Sequence, residues 1–195
     1  MNAAETNAST LAVARVRKLK NALTAILCGA VPAAVLGNLF PTSPAHWLLG
    51  FGVGLVWANA FEYFYHRYLL HFPSNYLGRM HHLHHASIGT PLELEHLNLG
   101  GTPPLVLAAF VLNGLVITFL ADVLLKLRIS PGVFIAFTVY VIAIEEVHWR
   151  IHLGGWLPSW LHFGRQHHLI HHDRPAGRYN VFVPLFDWLL GTAKD

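Results

Sequence analysis

Four stretches of the chain are almost free of charge, and each is bounded by proline or by a polar loop. They cover roughly residues 21–40, 45–65, 103–125 and 131–147. A helix needs about 20 apolar residues to cross a bilayer, so each stretch is read as a membrane span or close to one. The connections Pro41 to Pro44 and Lys126 to Ser130 are short, which makes spans one and two, and three and four, antiparallel hairpins. Residues 72–102 and 153–195 behave differently. Gly, Pro and polar positions there are interspersed with Leu, Trp and Phe, the pattern of a cap built from short helices and loops. The predicted fold is all-α: a four-transmembrane-helix bundle with a histidine-rich helical cap. Residues 1–20 are expected to form a flexible basic tail, frayed over 1–14, and 21–195 a single membrane domain.

Composition supports a membrane protein. The 195 residues are 54% hydrophobic and 12% charged, about half the charged share of ordinary soluble domains. No charge occurs between Lys20 and Glu62. The run from Asn21 to Phe40 is longer than a signal-peptide core and lacks a clean small-x-small site before a polar mature start, so it is read as an uncleaved span. Arg15, Arg17, Lys18 and Lys20 place its start in the cytoplasm by the positive-inside rule. Both termini and all the histidine clusters then fall on the cytoplasmic side, and of 13 Lys and Arg only Lys126 and Arg128 lie opposite. A formal charge of +3 carries no nucleic-acid signal. The lone Cys28 rules out an internal disulfide and a cysteine-based metal site. Trp149, Trp156, Trp160 and Trp188 are expected as interfacial anchors.

The candidate chemistry is histidine. His81-His82-Leu-His84-His85 returns as His167-His168-Leu-Ile-His171-His172, so His-x-x-His-His occurs twice. A wider pair precedes each copy: His66 with His71, and His148 with His152. Residues three and four apart share a helical face, which aligns His81 with His84 and His85, His168 with His171 and His172, and His148 with His152. His66 and His71, five apart, sit about 140° apart on a regular helix. Either the helix ends near Leu70 or these two reach different metals. Each buried imidazole with an unmatched nitrogen costs about 1–3 kcal/mol. Ten of them would consume the whole stability of a domain, about 5–15 kcal/mol, unless a metal satisfies them. Imidazole suits iron, zinc, copper or nickel, and ten donors are too many for one ion and about right for two. His46 and His96 read as satisfied core or interface residues, and His82, His162 and His167 as neighbours of ligands that support them or face the surface.

In order, His66-x4-His71, His81-x2-His84-His85, His148-x3-His152 and His168-x2-His171-His172 resemble the histidine boxes of the fatty acid hydroxylase superfamily, which also contains sterol desaturases and sterol methyl oxidases. The ending Asp187-x3-Gly191-Thr192 is similar to one common in that family. The resemblance spans about residues 50–192. It implies a four-helix membrane base, a cytosolic cap and a dinuclear centre holding two Fe ions, with Zn as a substitute in purified protein. The ten histidines are its implied ligands. The nine residues between His71 and His81 leave no room for a membrane hairpin and should fold in the cap.

The implied reaction is hydroxylation of a C–H bond in a fatty acyl or sterol-like lipid, using O2 and a separate electron-transfer protein. Desaturation on the same centre is the alternative. A non-enzymatic metal-binding or transport protein is the other, and it fits poorly because Asn38, Asn59, Asn113 and Asp122 are isolated in their spans. The lipid is expected to enter from the bilayer between spans two, three and four. Arg150, Arg165, Arg174 and Arg178 could dock an acidic donor or meet lipid phosphates. Glu62 and Glu145 share helical faces with His66 and His148 and are candidates to orient them, with Glu146 as a substitute for Glu145. Asp187 and Asn180 are expected to bond cap backbone or ligands.

Overall fold

The computed structural model describes residues 3–99, 101–181 and 183–194, and no strand occurs among them. The helices are α1 (Ala3–Leu39), α2 (Pro44–Tyr65), α3 (Tyr76–Ser87), α4 (Glu93–His96), α5 (Pro103–Ile117), α6 (Ser130–Leu153), α7 (His162–Asp173) and α8 (Leu185–Leu189). A π-helical turn, His66–Leu70, continues α2, and a π-helical stretch, Thr118–Leu124, continues α5. The chain forms two compact units. One gathers Met1–Val16, Asn59–Leu99 and Ile144–Asp195, and the other Arg17–Ala58 and Gly100–Ala143.

The second unit holds most of the apolar helix. Its faces carry exposed Leu23, Leu27, Val31 and Val35 on α1 and Leu107, Val111 and Leu115 on α5, a surface that water does not favour. Small residues let backbones meet. A Cβ on Gly50 would lie 2.2 Å from the Ile129 carbonyl oxygen, and one on Gly132 would lie 2.2 Å from that of Trp47. Trp57 on α2 packs on Ile117, Ala121, Ile129 and Val133 and donates its indole N–H to Asn113 on α5 at 2.8 Å. Asp122, isolated in sequence, accepts the Ile129 N–H at 2.8 Å and so closes the turn that starts α6.

Among the described residues, three helices are long and apolar enough to cross a membrane: Asn7–Leu39, Pro103–Leu124 and Ser130–Leu153. The expected second span, α2, is not among them, because Gly50, Gly52, Gly54, Asn59 and Glu62 dilute its hydropathy. The expected frayed tail is also different: α1 is already helical at Ala3. From Ala3 to Cys28 the sequence has no Gly or Pro and is rich in Ala and Leu, so nothing interrupts a helix there. Met1 and Asn2, part of the same expectation, lie outside the described residues.

The first unit explains why that helix persists. Ala14 and Leu11 pack on Leu97, which is fully buried, and on Trp149. Asn98 ties the group together, donating to the Ala14 carbonyl at 3.3 Å and accepting from the Trp149 indole at 3.2 Å. Trp149 is therefore a buried residue and not an interfacial anchor, whereas Trp156, Trp160 and Trp188 are exposed. Asn75 caps α3 by accepting the Gly78 N–H at 2.7 Å. The nine-residue spacer thus becomes a turn and the opening of a helix that carries four histidines.

A candidate dinuclear metal centre

The His66–His71 spacing is resolved by the backbone. His71 N–H reaches the His66 carbonyl at 3.1 Å, a bond between residues five apart. That π turn stacks i over i+5, as a regular helix cannot, and brings the two rings to 5.1 Å between centroids. Both rings then face the same point.

All ten expected histidines gather into two groups. One contains His66, His71, His81, His85 and His171, and the other His84, His148, His152, His168 and His172. Within each group the candidate donor atoms lie within 4.8 Å of one another. The partition cuts across the sequence boxes. On α3, His81 and His85 turn to one group and His84 to the other; on α7, His168 and His172 turn to one and His171 to the other. Each group draws four rings from one half of the chain and one from the other. His82 and His162 are exposed and join neither group, as does exposed His46.

The donor atom in every close pair is Nε2. The separations are 2.9 Å for His66–His81, 3.0 Å for His81–His85 and 3.1 Å for His71–His171. In the other group they are 3.2 Å for His84–His148, 3.1 Å for His152–His168 and 3.0 Å for His168–His172. With metal–nitrogen bonds of about 2.0–2.1 Å, neighbouring ligands at right angles stand about 3 Å apart and tetrahedral ones about 3.4 Å apart. The observed spacings match right angles. Hydrogen bonding among the rings is a poorer account. His81 Nε2 faces both His66 and His85, and His168 Nε2 faces both His152 and His172, yet one ring nitrogen offers a single proton or a single lone pair. A cation at each focus satisfies all five lone pairs.

Protonation agrees. Burial, reinforced by the neighbouring imidazoles, holds His81, His84 and His168 well below the ordinary histidine range. Burial likewise lowers His85 to about 4 and His171 to about 3. The rings are neutral at neutral pH, the form a metal requires.

Among the described residues, the rings of His171, His66 and His152 are held from behind. His171 Nδ1 donates to the Gly177 carbonyl at 2.5 Å, and His66 Nδ1 donates to the Tyr179 carbonyl. A carbonyl can only accept, so these bonds put the proton on Nδ1 and leave the Nε2 lone pair free. His152 Nδ1 bonds Glu93 Oε1 at 2.9 Å. Glu93 was missed in sequence: it lies 59 residues from His152, and no helical spacing links the two.

The carboxylates expected to orient ligands make the following contacts. Glu62 accepts the Val181 N–H at 2.5 Å and the Asn180 side-chain amide at 3.1 Å. Glu145 accepts the Trp149 indole at 3.3 Å, and His148 Nδ1 has no hydrogen-bond partner. Glu146 pairs with Arg150 at 2.6 Å. Arg178, expected on a docking surface, is buried. Asp187 is fully buried and pairs with His167 at 3.0 Å. Burial alone would raise its carboxyl, but bonds from His167, Asn180, Thr192 and Tyr179 hold it below the usual carboxylate value.

In comparison with known proteins, the model of the fatty acid hydroxylase family matches residues 51–192. No curated protein and no solved structure matches the chain.

Proposed function

Because the chain belongs to the fatty acid hydroxylase family, we propose that this membrane oxidoreductase hydroxylates a C–H bond of a fatty acyl or sterol-like lipid at a centre of two irons. The observation that carries the reading is the convergence of ten Nε2 atoms into two groups of five at right-angle spacing. When bound there, iron supplies the activation of O2 that acid–base side chains cannot provide, with one oxygen going into the C–H bond and the other leaving as water after two electrons and two protons are delivered.

The chain's own groups have separate tasks. The carbonyls of Gly177 and Tyr179 and the carboxylate of Glu93 keep protons on Nδ1, so that Nε2 stays a donor. Full burial of His148, His168 and His171 keeps bulk water from the imidazoles. The long apolar helices supply the bilayer location in which a lipid chain is the natural reactant. In this reading α2 is the fourth span, its Asn59 and Glu62 carried by bonds to Val183, Asn180 and Val181. The cluster at residues 15–20 puts both termini and both histidine groups on the cytoplasmic side. Electrons come from a separate electron-transfer protein.

The test is lipid mass spectrometry of cells expressing the chain or its His84→Ala variant. A product 16 mass units heavier than its precursor, present only with the intact chain, is expected. A loss of 2 units instead would identify a desaturase, and no change in any lipid would overturn the reading.

A further inference from the structure

One segment touches the candidate centre mainly through its backbone. Between the two carbonyls that orient histidines lies Arg178, whose φ of 60° is left-handed and costly for any residue with a Cβ. The strained residue reverses the chain between Gly177, which faces His171, and Tyr179, which faces His66. Both rings belong to the same group of five.

Strain of that kind persists only where surrounding bonds over-determine it, and here they do. Asp187 accepts the N–H of Tyr179 at 2.9 Å and of Asn180 at 2.8 Å, and also the Thr192 hydroxyl at 2.7 Å. Glu62 holds Val181 N–H and the Asn180 side chain from the other side. Arg178 N–H donates to the Thr192 carbonyl at 3.0 Å. A Cβ on Gly177 would lie 2.7 Å from that same oxygen, so the turn closes only with glycine there. The other group is served differently, by Glu93 on His152.

We propose that Asp187 and Glu62 are positioning residues that act through the 177–181 turn to aim His66 and His171, so that the end of the chain governs one metal group and not the other. The inference rests on reading the two histidine groups as metal sites. It accounts for an Asp-x-x-x-Gly-Thr ending in which Asp187 and Thr192 bond each other beneath the turn.

The experiment titrates detergent-solubilised, metal-stripped full chain with cobalt(II) and counts tightly bound ions. The unaltered chain should take two. Asp187→Asn should keep one and weaken the other about 10- to 100-fold, the usual cost of removing a group that orients a ligand. Added to His171→Ala, Asp187→Asn should cost nothing more; added to His168→Ala, it should leave almost no tight ion. Two ions held as tightly as before, or equal loss of both, overturns the clasp while the metal reading stands. An unaltered chain that takes no cobalt overturns both. Should Asp187→Asn fail to fold, Gly177→Ala carries the test, since it spares every carboxylate bond and displaces only the turn. The same selective loss is expected, and retention of both ions overturns the proposal.

Discussion

His84 lies between His81 and His85 in sequence, yet its Nε2 stands 3.2 Å from that of His148, on a different helix and 64 residues away. His171 makes the reverse exchange, with its Nε2 3.1 Å from that of His71. These two rings stitch the halves of the chain together. Neither group of five can assemble from one half alone, so the centre and the fold of the histidine-bearing unit depend on each other.

The exchange predicts separable losses. His84→Ala and His171→Ala should each lower bound metal from about two ions to about one, in different groups, and each should reduce lipid turnover at least 100-fold. Metal counting with mass-spectrometric product assay checks both. Full turnover with full metal in either variant would remove that ring from the centre.

Glu93→Gln should weaken metal in the group containing His152 by about 10- to 100-fold and leave the other group intact, because the carboxylate that raises the basicity of His152 is lost. A competition titration against a chelator reads the change. An unaltered titration would make Glu93 a mere helix-end acid.

Acid should destabilise the metal-free chain. His85 is lowered to about 4 and His171 to about 3 in the folded protein, against an ordinary 6.5 when unfolded. The unfolded chain therefore binds more protons below 6.5, and stability falls with pH through that window. The contribution is complete above about pH 6.5 and is lost progressively toward pH 4 and below. Melting of chelator-treated protein at pH 7.5 and 4.5 should show a clearly lower midpoint in acid. Equal midpoints would mean that the rings take up protons without cost.

Gly132→Val should destabilise the apolar unit by about 1–3 kcal/mol or more, since its Cβ would meet the Trp47 carbonyl oxygen at 2.2 Å and backbone cannot move aside as a side chain can. Thermal unfolding in detergent measures the loss. Gly52→Ala on α2 has open space around its Cβ and should be near neutral, which controls for replacing a helical glycine as such.

Local pattern was enough to identify much of this molecule. The uncharged run from Asn21 to Phe61 and the proline-bounded stretches after 103 and 131 specify long apolar helices, because hydropathy is a sum over neighbours in sequence. Clustered imidazoles with spacings of three and four specify a metal-binding surface, because burial of so many unmatched nitrogens is too costly otherwise. Eight of the ten histidines of the two groups follow from those spacings, and His66 and His71, five apart, do not.

Partition and support belong to the tertiary structure. Helical spacing puts His81, His84 and His85 on one face, but a face is wide enough to serve two foci, and only neighbouring helices decide which ring goes where. The π turn at His66–Leu70 leaves no mark in composition, yet it brings His71 to the same focus as His66. Glu93, Gly177 and Tyr179 orient rings from distant positions, two of them through carbonyls that every residue possesses. Side-chain identity cannot announce a role played by backbone. Which imidazoles exist is thus written in the chain, while where each proton sits and which five rings share a focus are set by long-range contacts that close only in the folded protein.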